Sequence, residues 1–149
     1  MNIHYYILTY NRPKVLSHCL RTAFNNTAIK PNAAFIFDDG SVPDVKRALL
    51  EFSIDHSKPG MPIHIEFHGV NMGVGWNFEN LYRKIEQHSP DIAVIIESDY
   101  IWRKGWLEDC LAVFEASPHT IMIPGTSHPD FLDKDNTGRK LPQYMIDQF

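Results

Sequence analysis

The chain has 149 residues, enough for one domain with a hydrophobic core and too few for two. Its 44% hydrophobic and 21% charged residues are typical of globular proteins and exclude a disordered chain. A net charge of −4 argues against a general nucleic-acid-binding surface, which needs a basic excess. No apolar run approaches the ~20 residues of a membrane span, and the start MNIHYYILTY lacks signal-peptide features, so we expect a cytoplasmic protein.

Strand-like and helix-like patterns alternate along the chain. Apolar runs predict strands at residues 3–9, 33–37, 63–67, 92–96 and 120–123. An amphipathic stripe follows each of the first four, and Ser41 and Asp44 have the spacing of a capping box at the second helix. This order predicts an α/β, Rossmann-like fold with a mostly parallel sheet and helices on both faces. Ligands bind such sheets beyond the carboxyl ends of the strands.

Two carboxylates follow the fourth strand directly. In an extended chain, Glu97 and Asp99 lie on the same side, with Ser98 between them. Like charges at one point repel unless a proton or a cation separates them, and Mg²⁺ and Mn²⁺ prefer oxygen ligands that they share with phosphates. The alternative is that one carboxylate caps the next helix and the other is solvated.

Two further polar clusters stand at the ends of the first two strands. The first is Thr9-Tyr10-Asn11-Arg12, whose ring and cation suit a base and a phosphate. The second is Asp38-Asp39-Gly40-Ser41, whose carboxylates suit a base N–H or ribose hydroxyls. Both clusters also consist of ordinary turn and cap residues, so neither is specific alone. Together with the carboxylates of the fourth strand, they predict one site at one edge of the sheet.

The order of these motifs resembles that of the family 2 glycosyltransferases, which have the GT-A fold. The similar segments are 7–13, 37–41, the asparagine–glycine loop Asn71-Met72-Gly73 with Asn77, and Glu97-Ser98-Asp99 in place of an Asp-x-Asp signature. The segment 102–107 also resembles the stretch after that signature. The resemblance spans roughly residues 3–115.

The resemblance implies a role for each matching residue. The base and ribose would be held by residues of the first two motifs, namely Thr9, Tyr10, Arg12, Asp38 and Asp39. The sugar and diphosphate would be held by Asn71, Gly73, Asn77, Glu97 and Ser98. Asp99 would bind the cofactor, Mn²⁺ or Mg²⁺, that bridges the diphosphate.

The sequence departs from the family at three points. Glu97 replaces the usual first Asp, and Gly75-Trp76-Asn77 lacks an arginine that often approaches the diphosphate. Only about 50 residues follow Asp99, so the chain looks shortened in the half that recognises the acceptor. We expect residues 1–123 to form the nucleotide-sugar-binding core and 124–149 a short extension of it. Asp130 is our candidate for the catalytic base, with Asp133 and His128 as alternatives, and a homodimer is one way of completing the site.

The function predicted from this pattern is transfer of a sugar from a nucleoside-diphosphate sugar, most simply a UDP-sugar, to an acceptor hydroxyl. The resemblance implies a metal-dependent enzyme of the inverting kind. The alternative is a domain that binds the nucleotide sugar without transferring it, as a fragment or subunit of a larger enzyme. A dinucleotide-binding oxidoreductase is disfavoured because the glycine loop, residues 69–75, follows the third strand and not the first.

Overall fold

A computed structural model describes residues 1–117 of the chain. The chain divides into two compact units, Met1–Asp109 and Cys110–Phe149, and the second is described only as far as Ser117. The predicted strand at 120–123, the extension 124–149 and Asp130 lie outside the described residues. None of the helices in residues 1–117 has the length and apolar character needed to cross a bilayer.

Four strands and four helices alternate in the described part of the chain. They are β1 (Ile3–Thr9), α1 (Pro13–Asn25), β2 (Ala33–Asp38), α2 (Pro43–His56), β3 (Ile63–Phe67), α3 (Val74–His88), β4 (Ile92–Glu97) and α4 (Trp106–Ala116). The first four predicted strands therefore agree with the structure to within one residue. The predicted α/β class, with a parallel sheet and helices on both faces, is confirmed.

The sheet is parallel throughout, in the order β3-β2-β1-β4. Thr9 pairs with Asp38, Asp38 pairs with Phe67, and Leu8 pairs with Glu97. The carboxyl ends of all four strands therefore meet at one edge. This register brings the three polar clusters together.

Both faces of the central strands are covered, which explains their nearly continuous apolar sequence. On one face, Tyr6, Leu8 and Phe37 pack with Leu81 of α3. On the other face, the ring of Tyr5 lies with its centroid 5.2 Å from that of Phe24 in α1 and 5.8 Å from that of Trp106.

Proline begins two of the helices, as its fixed φ and missing N–H favour. Pro13 starts α1 and Pro43 starts α2. The capping box predicted for α2 is wrong: Val42 is the N-cap residue and no side chain caps the helix. The Ser41 hydroxyl instead accepts a hydrogen bond from the backbone N–H of Asn11 at 2.8 Å, which joins two loops.

Candidate functional site

A cleft of about 300 Å³ lies at the carboxyl edge of the sheet. It is lined by Leu8, Thr9, Tyr10, Arg12, Asp39, Asn71, Gly73, Val74, Asn77, Glu97, Ser98 and Asp99. Every site residue predicted within residues 1–117 is among them except Asp38. The prediction of a shared cleft for Asp39 and Asp99, which are 60 positions apart in the sequence, therefore agrees with the structure.

Asp38 is placed beneath the cleft and not in its lining. Its side chain is completely buried, and its Oδ2 accepts a hydrogen bond from the backbone N–H of Ser41 at 3.1 Å. This contact closes the turn between β2 and α2. We therefore assign Asp38 to the support of the turn and look to Asp39 for contact with a ligand.

Asp39 joins two loops at the cleft. Its carboxylate accepts backbone N–H hydrogen bonds from Met72 at 2.7 Å and from Gly73 at 3.0 Å. Beside it, Gly40 has φ of +74°, and a Cβ there would lie 2.5 Å from the carbonyl carbon of Val70. Only glycine suits both the left-handed backbone and this close approach. The β2–α2 turn and the β3–α3 loop are thus fixed against each other.

The loop between β1 and α1 is hydrogen-bonded to the β2–α2 turn. Asn11 donates its N–H to Ser41, and its Oδ1 accepts from the N–H of Val42 at 3.1 Å. Asn11 and Arg12 have φ of 52° and 55°, a left-handed conformation that costs of order 1–3 kcal/mol per residue. In this arrangement the Arg12 guanidinium reaches Asp99, with Nη1 and Oδ2 3.0 Å apart.

The three residues that end β4 and follow it alternate as predicted. Glu97 and Asp99 are exposed, and Ser98 between them is buried and donates its N–H to the carbonyl of Leu8 at 3.1 Å. Burial raises the pKa of Tyr100, and the negative charges of Glu97 and Asp99 raise it further. Two carboxylates therefore project at the mouth of the cleft.

The carboxylate oxygens of Glu97 and Asp99 are of the kind that Mg²⁺ and Mn²⁺ prefer as ligands. No group of three or more His, Cys, Asp or Glu side chains converges anywhere in residues 1–117. Asp99 is paired with the Arg12 guanidinium, so a divalent ion at this carboxylate would share it with Arg12 or displace the guanidinium. A divalent ion here would take one or two protein oxygens and complete its shell with phosphate oxygens and water, as Mg²⁺ commonly does.

Two buried polar atoms in the lining have no hydrogen-bond partner among the described residues. They are Oγ1 of Thr9 and Oδ1 of Asn77, which belong to residues 4% and 5% exposed. The Nδ2 of Asn77 donates to the carbonyl of Gly73 at 3.3 Å. Leaving such atoms unpaired costs about 1–3 kcal/mol each, so they favour a ligand that carries hydroxyl or N–H groups.

Sequence reasoning missed some residues of the site and some of its contacts. Leu8 and Val74 line the cleft, but their apolar side chains carried no chemical signal. Asn11 and Ser41 stand in the predicted clusters, but the hydrogen bond between them was not predicted. The place of His68 behind Asp39, with Nδ1 3.7 Å from Oδ1, was not predicted either. Such contacts join distant positions, and no single-sequence pattern indicates them.

Comparison with solved structures supports the fold. The mannosyltransferase PcManGT from Pyrobaculum calidifontis, in complex with GDP-Man and Mn²⁺, superposes with a TM-score of 0.62 at 14% identity, covering 76% of this chain and 32% of that one. S. aureus TarS 1-349 superposes with a TM-score of 0.61 at 15% identity, covering 83% of this chain and 38% of that one. The chain thus spans about a third of the length of these proteins. No curated protein matches it.

Comparison with protein families covers nearly the whole sequence. The sequence profile described as Glycosyl transferase family 2 matches residues 6–146, from β1 to three residues before the end of the chain. The parallel four-stranded sheet with helices on both faces is the GT-A arrangement that its structural neighbours share. The chain therefore belongs to glycosyl transferase family 2.

Proposed function

We propose that this chain binds a nucleoside-diphosphate sugar, in the first instance a UDP-sugar, and contributes to transfer of the sugar to an acceptor hydroxyl with a divalent metal. One observation carries the proposal: Asp39 and Asp99 line the same cleft at the carboxyl edge of the sheet. Parallel α/β sheets bind nucleotides at this edge. The PcManGT complex with GDP-Man and Mn²⁺ supports the same ligand class.

The nucleoside end of the donor is assigned to the side of the cleft near β1 and β2. Tyr10 is 47% exposed there and offers a ring face on which a base stacks. Asp39 accepts from loop amides and has lone pairs left for a base N–H, while Thr9 and Asn77 offer unpaired polar atoms to hydroxyl groups.

The diphosphate is assigned to the part of the cleft where Arg12 pairs with Asp99, so we propose phosphate for Arg12 in place of the base and ribose that the resemblance implies. The Arg12 guanidinium is suited to phosphate oxygens, and it is the single cationic side chain in the part of the lining that the structure describes. When bound, Mn²⁺ or Mg²⁺ at Asp99 would neutralise the charge that develops on the departing diphosphate. Glu97 lies beside this position and is assigned to the sugar or the ion.

The acceptor side of the reaction remains a prediction from the sequence. Inverting transfer needs a base that takes the proton of the acceptor hydroxyl, and Asp130 is our candidate outside the described residues.

A second candidate function is donor binding without transfer. This function is favoured by the short length of the chain relative to its structural neighbours, since it aligns with only 32% of PcManGT and 38% of TarS 1-349. In that case this chain supplies the donor site, and further protein supplies the acceptor site.

A turnover assay separates the two functions. The full chain is incubated with UDP-glucose or GDP-mannose, Mn²⁺ and a panel of sugar acceptors, and release of the nucleoside diphosphate is measured. Transfer or donor hydrolysis that disappears in Asp99→Ala supports the enzyme. Saturable binding of either donor without release supports the binding module, and absence of binding overturns both.

A further inference from the structure

His68 lies between two carboxylates directly behind the cleft. Its Nδ1 is 3.7 Å from Oδ1 of Asp39, and its Nε2 is 3.3 Å from Oε1 of Glu66. The side chain is only 9% exposed, and the ring of Trp76 covers it edge-on with centroids 4.5 Å apart. Neither the family resemblance nor the sequence motifs assign a role to this histidine.

A neutral imidazole cannot satisfy both neighbours. It carries one N–H donor and one acceptor nitrogen, whereas an ionised carboxylate only accepts. With the hydrogen on Nε2, the ring donates to Glu66, and the lone pair of Nδ1 then faces Asp39. The structure matches this neutral arrangement, because Nδ1 is buried without a hydrogen-bond partner within residues 1–117. A protonated ring donates to both carboxylates.

The other charged groups around His68 do not replace either carboxylate as a partner of its ring. The Glu66 carboxylate accepts from Asn80 at 2.9 Å and lies 3.7 Å from the ammonium of Lys84. Burial alone would raise the pKa of Glu66, but the hydrogen bonds from Asn80 and His68 and the nearby charges outweigh it and lower the pKa. Lys46 reaches the backbone carbonyl of His68 and not the ring. The carboxylate beside Nε2 therefore stays ionised near neutral pH.

Asp39 connects this histidine to the ligand. The same carboxylate oxygen that faces Nδ1 accepts from the N–H of Met72, and its partner oxygen accepts from Gly73. Among residues 1–117, the lining of the cleft carries three carboxylates, Asp39, Glu97 and Asp99, against one cation. An anionic diphosphate entering this cleft is opposed by that excess, and one added positive charge behind Asp39 reduces it.

We propose that His68 is a positioning residue for Asp39, and that its protonated ring, by bonding Asp39 and Glu66 together, strengthens binding of a nucleoside-diphosphate sugar. This inference rests on the proposed donor site. Histidine changes charge between about pH 5 and 8, so donor affinity rises as the pH falls through that range. We expect the Kd to be about three- to ten-fold lower at pH 6 than at pH 8.

The first test is calorimetric titration of the full chain, in saturating Mn²⁺, with UDP-glucose and with GDP-mannose at both pH values. Each phosphorus of these probes carries one ester and one anhydride bond and keeps a single, strongly acidic oxygen, so the phosphates do not titrate in this range. His68→Gln keeps a neutral side chain at both pH values and should abolish the difference. His64→Gln is the matched control, since His64 lies in β3, which ends one residue before His68, and is exposed. An equal pH effect in His68→Gln overturns the inference.

The second test needs no ligand and no variant. The backbone amide resonances of Met72 and Gly73 are followed by NMR in the wild-type protein from pH 8 to pH 5.5. We expect both to shift with the titration of the His68 ring resonances, because Asp39 joins the two. Amides that stay constant while the ring titrates overturn the inference and leave the proposed function standing. Amides that titrate in a protein that binds neither probe contradict the proposed function and, with it, the effect on binding.

Discussion

Asp38, which ends β2, and Asp39, which follows it, make different contacts although they are adjacent. Asp38 is the last residue of the strand, faces inward and bonds Ser41, whereas Asp39 reaches the next loop and the cleft. Strand alternation accounts for this division, since successive side chains point to opposite faces. A family motif read from sequence treats the pair as one unit.

Replacing Asp39 should weaken both the loop and the donor site. In Asp39→Asn, one carboxylate oxygen becomes an NH₂ group that faces a backbone N–H, and the loss is about 1–3 kcal/mol in the free energy of unfolding. We expect at least a ten-fold rise in the Kd for UDP-glucose or GDP-mannose. Urea unfolding and calorimetry measure the two effects. Asp44→Asn is the control, because Asp44 has a side chain 74% exposed and a surface ion pair, so its change stays within about 0.5 kcal/mol.

Replacing Arg12 should weaken donor binding without destabilising the fold, because its side chain serves the cleft while its backbone is strained. Arg12→Gly removes a side chain from a left-handed position and loses an exposed ion pair worth about 0–1 kcal/mol. We expect the unfolding free energy to stay equal or rise by up to about 1 kcal/mol, while donor affinity falls at least five-fold. Thermal or urea unfolding with parallel calorimetry is the measurement. A clear loss of stability would show that the Arg12–Asp99 contact outweighs the strain.

At the scale of elements, the turn after β2 and the loop before α3 behave as one interlocked piece. Gly40→Ala places a methyl group 2.5 Å from the backbone of Val70, so we expect a loss of about 2–4 kcal/mol in urea unfolding. Gly60→Ala is the matched control, with φ of +86° and no atom within 4 Å of the added group. It should lose only the backbone term, about 1 kcal/mol. Equal losses of unfolding free energy in the two variants would contradict the steric argument, because the contact with Val70 would then add nothing.

The opposite end of the sheet should make stability depend on pH. Burial lowers the pKa of His4 below 6.5, and burial followed by the charges of His4, Lys84 and His64 lowers that of His88. The unfolded chain therefore binds more protons, and the unfolding free energy falls as the pH drops from about 7 towards 5.

Substitution of His88 should reduce that pH dependence. His88→Gln removes one of the groups with a lowered pKa, so the slope of unfolding free energy against pH becomes shallower even if stacking on Phe35 is lost. His18→Gln, at an exposed position of α1, is the comparison variant. Urea unfolding at several pH values measures the slope. A slope that is the same in all three proteins would contradict this assignment.

The elements could be predicted from sequence because each follows from a local pattern. Continuous apolar runs identified the strands, and Pro13 and Pro43 stand where helices begin. The cap of α2 could not be predicted, because the hydroxyl of Ser41 is used by Asn11, 30 positions away. The same reason hides the pairing of Asp39 with His68. Residues that bear the chemistry have a local signal, and those that position them do not.

At the scale of the whole molecule, the chain belongs to glycosyl transferase family 2. Its profile match runs over residues 6–146, while its structural neighbours are about three times as long as the part it covers. Everything proposed about donor binding lies within residues 1–109. That portion forms one compact unit, so the donor proposal does not depend on the acceptor side.

The central claim is that the cleft binds a nucleoside-diphosphate sugar through a divalent metal at Asp99. A ligand at 100 times its Kd stabilises the folded state by about 2.7 kcal/mol, which raises the Tm of a chain of this size by about 5–10 °C. The most direct measurement is the Tm of the wild type and of Asp99→Asn with UDP-glucose or GDP-mannose, with and without Mn²⁺. We predict a rise that needs both donor and metal and is absent in Asp99→Asn. A rise of equal size in the variant, or no rise with any combination in the wild type, would contradict the account.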